Sequence, residues 1–164
     1  MNIEQQIADD HRRFSRHYEE ILHRHSRLIF SLSQSTSEQD MTEGFDYAIT
    51  FDKVQIAVRN RAYKYFADYG DFTIRAQSKM KNKTEIHKIK EGCGDVYLYA
   101  WKNQHDTNLY CYLLIDLNKL RSSGVLYKNR RLIPNIDGTK FISITLHELH
   151  KADCILAYDK FSKT

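Results

Sequence analysis

Apolar residues recur at three- and four-residue steps through the N-terminal part of the chain, which is the spacing of an amphipathic helix. Arginines and four histidines lie between them. The pattern therefore predicts a long first helix with an apolar stripe and a basic face, over Ile3–Leu32. The segment Ser31–Glu43 is polar and rich in Ser and Thr, so we expect a loop there.

The pattern then changes to the alternation of apolar and polar residues that is typical of β-strands. One helix-like segment, Thr84–Glu91, interrupts the series, and Thr84 has the side chain of a helix cap. The order of elements becomes α-β-β-β-α-β. Only Asp52 separates the first two strands, which favours a tight hairpin. The four predicted strands are Phe45–Phe51, Lys53–Arg59, Asp71–Gln77 and Asp95–Trp101.

The C-terminal half continues with strands and short helical turns. Leu109–Leu117 is apolar enough for a central strand, and a helical turn at Asn118–Ser123 would close at Gly124. Turn residues follow at Pro134–Gly138. The last predicted strands are Phe141–Leu146 and Ile155–Tyr158. We therefore predict an α/β fold, with residues 1–164 forming a single domain around a mixed sheet.

Composition narrows the classes of function. The chain has 164 residues, a net charge of +4 and three scattered cysteines without a CxxC pair, which disfavours a zinc ribbon or a disulfide scaffold. No apolar run reaches the roughly 20 residues of a membrane helix, so we expect a cytoplasmic protein without membrane contact. Lys53–Lys90 contains ten Lys and Arg against three acids, and Lys119–Arg131 contains five and none. Such clusters attract polyanions, and nucleic acid is the expected partner.

One set of polar residues has the chemistry of a metal-dependent phosphodiesterase. Asp46 lies on the first predicted strand, and Gln55 and Arg59 lie on one face of the second. A carboxylate and a second oxygen ligand on neighbouring strands can share a Mg²⁺ ion, and a nearby cation can stabilise the developing phosphorane charge. Asp46 and Gln55 are thus the candidate metal ligands.

On these residues the chain resembles the PD-(D/E)xK nuclease superfamily, over roughly residues 15–101. The resemblance implies that Asp46 is the motif aspartate and that Gln55 is the second ligand. The motif lysine falls on Ala57, which is a departure, and Arg59 would supply the cation. An acidic residue of the first helix, Glu19 or Glu20, often completes such a site. The segments VQIAVRNR, DFTIR, TEIHKIKEGCGD and LLIDLNKLR also resemble small phage-encoded proteins.

Two further sets of residues are weaker candidates. Six residues on the third strand, the next helix and the following strand could converge at one sheet edge around a phosphate, but surface ion pairs such as Glu85 with Lys88 are the favoured interpretation. The six are Asp71, Thr73, Arg75, Glu85, Lys88 and Asp95. The histidines of His147–His150 are three residues apart, whereas a zinc protease needs four, and on a strand they would face opposite sides.

Basic residues interleaved with aromatic ones suggest nucleic-acid contact, because Arg grips phosphate and rings stack on bases. One such patch runs from Arg59 to Phe66 and a second from Tyr127 to Arg131. The candidate contact residues are Arg61, Lys64, Arg75, Lys79, Lys83, Arg130 and Arg131. We therefore expect a nucleic-acid-interacting protein of nuclease-like fold, and a Mg²⁺-dependent nuclease if it is active.

Two other functions remain open. The chain could be a non-catalytic binding or inhibitor protein, for example a phage protein that uses its basic surface to block a host defence complex. It could also be a homo-oligomer that pairs through its Tyr-rich strands.

Overall fold

The computed structural model describes residues 3–26, 31–34, 47–50, 54–78 and 83–161. Over these ranges the protein has an α/β fold with a four-stranded mixed sheet and a three-stranded antiparallel sheet, as the sequence predicts. The chain divides into two compact units, Met1–Val54 and Gln55–Thr164.

The first unit contains one long helix and a two-stranded sheet. Helix α1 spans Ile3–Arg24, and the side chains of Phe14, Tyr18 and Ile21 are buried, as the apolar stripe predicts. Strands β1 (Ser31–Gln34) and β2 (Tyr47–Thr50) pair in an antiparallel register. The loop predicted over Ser31–Glu43 was therefore wrong for its first four residues. These residues contain Ser and Gln and a single apolar Leu, so their composition favoured a loop over a strand.

The second unit carries the remaining elements. Its strands are β3 (Ile56–Arg61), β4 (Phe72–Gln77), β5 (Val96–Lys102), β6 (Leu109–Asp116), β7 (Ile133–Pro134), β8 (Lys140–Ile144) and β9 (Ile155–Lys160). Its helices are α2 (Tyr63–Asp68), α3 (Glu85–Lys90), α4 (Leu117–Ser122) and α5 (Leu146–Lys151), with a 3₁₀ turn at Val125–Tyr127. The four-stranded sheet has the order β3-β5-β6-β9, and the other sheet has the order β4-β8-β7.

The hairpin predicted between Phe45–Phe51 and Lys53–Arg59, the segments that contain β2 and most of β3, is wrong. Strand β2 pairs with β1, whereas β3 pairs in parallel with β5. The chain between β3 and β5 forms α2, β4 and α3, which makes the long crossover that a parallel pair requires. The short separation of the two predicted strands along the chain suggested that they pair with each other. However, alternation shows only which face of a strand is buried, and it does not show which strand lies beside it.

The core of the second unit lies between its two sheets. Tyr97, Tyr99 and Trp101 project from β5 and are almost fully buried, and Phe72 of β4 meets the first two edge-on at centroid distances of 5.3 and 5.1 Å. Strand β6 is the central strand that the sequence predicts, with β5 and β9 on its two sides. Three buried aromatic side chains on one strand thus anchor β5 in this core.

The segment around His147 forms a helix rather than the end of a strand. Strand β8 ends at Ile144, and Thr145 caps α5 by accepting a hydrogen bond from the Glu148 N–H at 3.2 Å. The Glu148 carboxylate accepts the Thr145 N–H in return at 3.1 Å. This reciprocal pair is a capping box. His147 and His150 are therefore helical residues, so the case of a strand, on which they would face opposite sides, does not apply.

Candidate nucleic-acid interface

The residues expected to form a nuclease site fall in both units. Asp46 lies outside the described residues. Glu19 and Glu20 are exposed on α1 in the first unit, whereas Gln55 and Arg59 belong to the second. Among the described side chains, no group of three or more His, Cys, Asp or Glu is placed to hold a metal ion. The structure thus describes four of the expected site residues, and none of them belongs to a metal-ligand cluster among the described side chains: Glu19, Glu20, Gln55 and Arg59.

Gln55 marks the start of β3 and has an exposed side chain. Its backbone N–H donates to the Asp95 carboxylate at 2.8 Å, and its carbonyl accepts the Asp95 N–H, also at 2.8 Å. Asp95 therefore joins the start of β3 to the start of β5.

Arg59 forms an ion pair instead of facing open solvent. Its Nη1 lies 2.7 Å from Glu85 Oε2, and the two side chains are 20% and 24% exposed. Burial alone would lower the pKa of Arg59, but the Glu85 carboxylate and two tyrosine hydroxyls outweigh it and raise the pKa. The expected Glu85–Lys88 pair is replaced by this contact between α3 and β3.

The Arg59–Glu85 pair also satisfies the open edge of β4. Arg59 donates to the carbonyl of Thr73 at 3.2 Å, and the Glu85 carboxylate accepts the N–H of Arg75 at 2.9 Å. These are backbone groups for which a neighbouring strand would otherwise provide partners. Tyr97 donates its hydroxyl to the other Glu85 oxygen. Arg59 is therefore a structural residue at a sheet edge.

Burial raises the pKa of the two tyrosines beside this pair. The pKa of Tyr97 lies well above its ordinary value because the ring is buried and because the Glu85 charge opposes ionisation. Burial also raises the pKa of Tyr99, whose hydroxyl shares a hydrogen bond with Thr73 Oγ1 at 2.8 Å. Both hydroxyls stay protonated, so neither provides an ionised oxygen for chemistry near neutral pH.

A second group of cations and rings surrounds α2. The Arg61 guanidinium lies 4.2 Å from the centroid of the Tyr65 ring, and the Lys64 ammonium lies 5.1 Å from the same centroid. Both are cation–π distances. Tyr69, at the C-terminal end of the helix, is 72% exposed. The end of β3, helix α2 and the residue that follows the helix thus bring an arginine, a lysine and two tyrosine rings close together in the chain.

Residues distant in the sequence complete this surface. Lys160 of β9 lies 5.6 Å from the Phe66 ring and 5.8 Å from the Tyr110 ring. The sheet register explains the proximity, because Arg61, Trp101, Cys111 and Lys160 occupy one row across β3, β5, β6 and β9. We call the surface the α2 patch and define it as Arg61, Lys64, Tyr65, Tyr69, Tyr110 and Lys160.

The other predicted contact residues divide by their partners. Arg75 and Arg131 have exposed side chains, and Lys79 lies outside the described residues. Lys83 pairs with Glu91 at 2.8 Å. Arg130 is largely buried and donates to Glu148, at 2.8 Å from Nη2 and 3.2 Å from Nη1. Arg130 is thus paired within the fold, and the second predicted basic patch is partly neutralised.

The sequence analysis missed two residues of the α2 patch and one structural feature of α5. Lys160 and Tyr110 join the α2 patch through strand pairing, for which the sequence offers no pattern. The structural feature is the capping box, for which the sequence does have a pattern, Thr145-x-x-Glu148. Glu148 binds Arg130 and Lys128, and the hydrogen bond from Arg130 is the largest cause that lowers the pKa of Glu148 to about 2.

Comparison of the chain with protein-family models, with curated proteins and with solved structures finds no match. Within the described ranges, no helix has the length and apolar character needed to cross a membrane.

Proposed function

We propose that this chain is a nucleic-acid-binding protein and that the α2 patch is its contact surface. The observation that carries the proposal is the arrangement of Arg61 and Lys64 beside the ring of Tyr65, at 4.2 and 5.1 Å. Cations placed beside aromatic rings can contact phosphate and base at the same time.

Binding rather than cleavage is the function that these contacts favour. The cation expected to stabilise a phosphorane, Arg59, already donates to Glu85 and to the Thr73 carbonyl. Moving it to a substrate would leave the Glu85 carboxylate and the edge of β4 without that donor, which is costly for partly buried groups. In contrast, Lys64 and Lys160 are exposed, and the ammonium group of each lies beside an aromatic ring.

Fluorescence anisotropy with the full-length chain tests the proposal. Labelled single- and double-stranded DNA and RNA would be titrated with the wild type, with Lys64→Gln/Lys160→Gln and with the control Lys151→Gln. Lys151 is an exposed lysine at the end of α5. It precedes the first residue of β9, whereas Lys160 is the last residue of that strand. We expect binding by the wild type and the control, and at least tenfold weaker binding by the double variant.

Two results would overturn the proposal. Absence of binding to every oligonucleotide at low salt would do so, and so would equal binding by the double variant and the wild type. Gel analysis of the same mixtures with Mg²⁺, with Mn²⁺ and with EDTA tests the nuclease alternative. Metal-dependent cutting that is lost in Asp46→Ala would replace binding by cleavage as the main function.

A further inference from the structure

Tyr69 makes the α2 patch more than a basic surface. Its N–H donates to the Tyr65 carbonyl at 3.3 Å, and its own φ of −130°, followed by a φ of +57° at Gly70, ends the helix and turns the chain. The Tyr69 ring therefore stands at the C-terminal end of α2, and it is 72% exposed.

The two rings differ in how they are supported. Tyr65 is half-buried and flanked by the Arg61 guanidinium, whereas the Tyr69 ring extends into solvent with no ring partner among the described residues. An exposed tyrosine ring can bind a flat ligand by stacking, because the contact removes one face of the ring and one face of the ligand from water. The Arg61 guanidinium and the Lys64 ammonium lie beside the Tyr65 ring, four residues before Tyr69 in the chain, where they can contact phosphates of the same ligand.

From this arrangement we infer that the α2 patch selects single-stranded nucleic acid, with an unpaired base stacked on Tyr69 and the flanking phosphates held by Arg61 and Lys64. The inference rests on the proposed nucleic-acid-binding function. A duplex hides its base faces inside the helix, so it can contact only the cations of the patch. A single strand offers bases and phosphates together, and the patch has a group for each.

The negative charge of Asp68 provides a second test of the inference. Asp68 is exposed at the last position of α2, next to Tyr69 in the chain. A negative charge at this place repels phosphate. The variant Asp68→Asn removes that charge without changing the shape of the side chain, and we expect it to bind a single strand two- to fivefold more tightly.

The experiment measures the affinities of the full-length chain for a labelled single-stranded oligonucleotide and for its duplex. The variants are Tyr69→Ala, Tyr69→Phe and Tyr127→Ala. Tyr127 is a matched control, because it is 60% exposed and has the Lys90 ammonium 4.8 Å from its ring centroid. Loss of one stacked base corresponds to a decrease of about five- to hundredfold in affinity.

We expect Tyr69→Ala to show that decrease for the single strand and little change for the duplex, while Tyr69→Phe and Tyr127→Ala keep wild-type affinity. Binding of both strands with equal affinity, together with an unchanged Tyr69→Ala, would overturn the inference and leave the proposed function intact. An equal loss in Tyr127→Ala would also overturn it, since stacking would then not be located on α2. Absence of binding to either oligonucleotide would overturn the proposed function itself.

Discussion

Glu148 offers the sharpest test of the fold, because its carboxylate both pairs with Arg130 and closes the capping box of α5. The carboxylate accepts hydrogen bonds from Arg130 at 2.8 and 3.2 Å and from Thr145 N–H at 3.1 Å, and it lies 3.2 Å from the Lys128 ammonium. These donors lower the pKa of Glu148 from 4.5 to about 2. Replacement by Gln keeps an oxygen for the capping box and removes the charge.

The size of the effect follows from the pKa. A decrease of about 2.5 pH units corresponds to about 3 kcal/mol of stability at about 1.4 kcal/mol per unit. The Glu148 side chain is 25% exposed and its Lys128 partner is 55% exposed, so solvent screens part of this energy. We expect Glu148→Gln to lose about 2 kcal/mol at pH 7, which is about 4–8 °C in Tm for a chain of this length.

The sign of the pH dependence is fixed by the lowered pKa. A carboxyl whose pKa is lower in the folded state contributes its full stability above the unfolded value of 4.5 and loses it as the pH decreases towards 2. Urea unfolding of the wild type and of Glu148→Gln, at intervals from pH 7 to pH 2, measures the difference. We expect it to be constant above pH 5 and to shrink steadily below pH 4.5.

Asp153→Asn is the control for this experiment. Asp153 pairs with Lys119 at 2.6 Å, but its side chain is 86% exposed, so the variant should have much less effect than Glu148→Gln. A difference between wild type and Glu148→Gln that stays the same at pH 3 and pH 7 would refute the argument. So would a loss no larger than that of the control.

Two further substitutions test the packing around β4 and β5. The first test is a double-mutant cycle of Arg59→Met and Glu85→Gln, measured by chemical unfolding. Each single variant should lose about 2 kcal/mol, because it leaves a partly buried charge alone, and the double variant should lose clearly less than the sum of the two. Additive losses would show that the pair does not support the β4 edge. Gly94→Ala should cost more than Gly92→Ala in thermal unfolding, since both have a positive φ (+77° and +94°) but only Gly94 has a neighbour at 3.2 Å from an added Cβ. The φ penalty alone is about 1–2 kcal/mol, and equal losses in the two variants would contradict the close approach at Gly94.

The elements of this fold were largely predictable from the sequence, but their partners were not. Alternation located β3, β4 and β5 to within a few residues, because one buried face leaves a period of two in the chain, and a continuous apolar run located β6. Nothing in that period shows that β3 pairs with β5 or that β4 belongs to a different sheet. Pairing depends on contacts between distant residues, and the short gap at Asp52 favoured the wrong neighbour.

The candidate interface was predictable in part for the same reason. Arg61, Lys64 and Tyr65 are close in sequence, so a local pattern could identify them. Lys160 lies about a hundred positions away and reaches the patch only through the register of four strands. The role of Arg59 was also hidden, since its partner Glu85 lies on a helix after the next strand. A single sequence shows the composition of a surface more readily than the partners of its charges.

The salt dependence of binding to a labelled single-stranded oligonucleotide tests the central claim most directly. Each phosphate neutralised on a single strand contributes about −0.7 to the slope of log Kobs against log salt concentration. Arg61, Lys64 and Lys160 would give the wild type a slope of about −2. We predict that Lys64→Gln/Lys160→Gln has a slope of about −0.7, with Lys151→Gln unchanged. A wild-type slope near zero, or the same slope in the double variant, would contradict binding through the α2 patch.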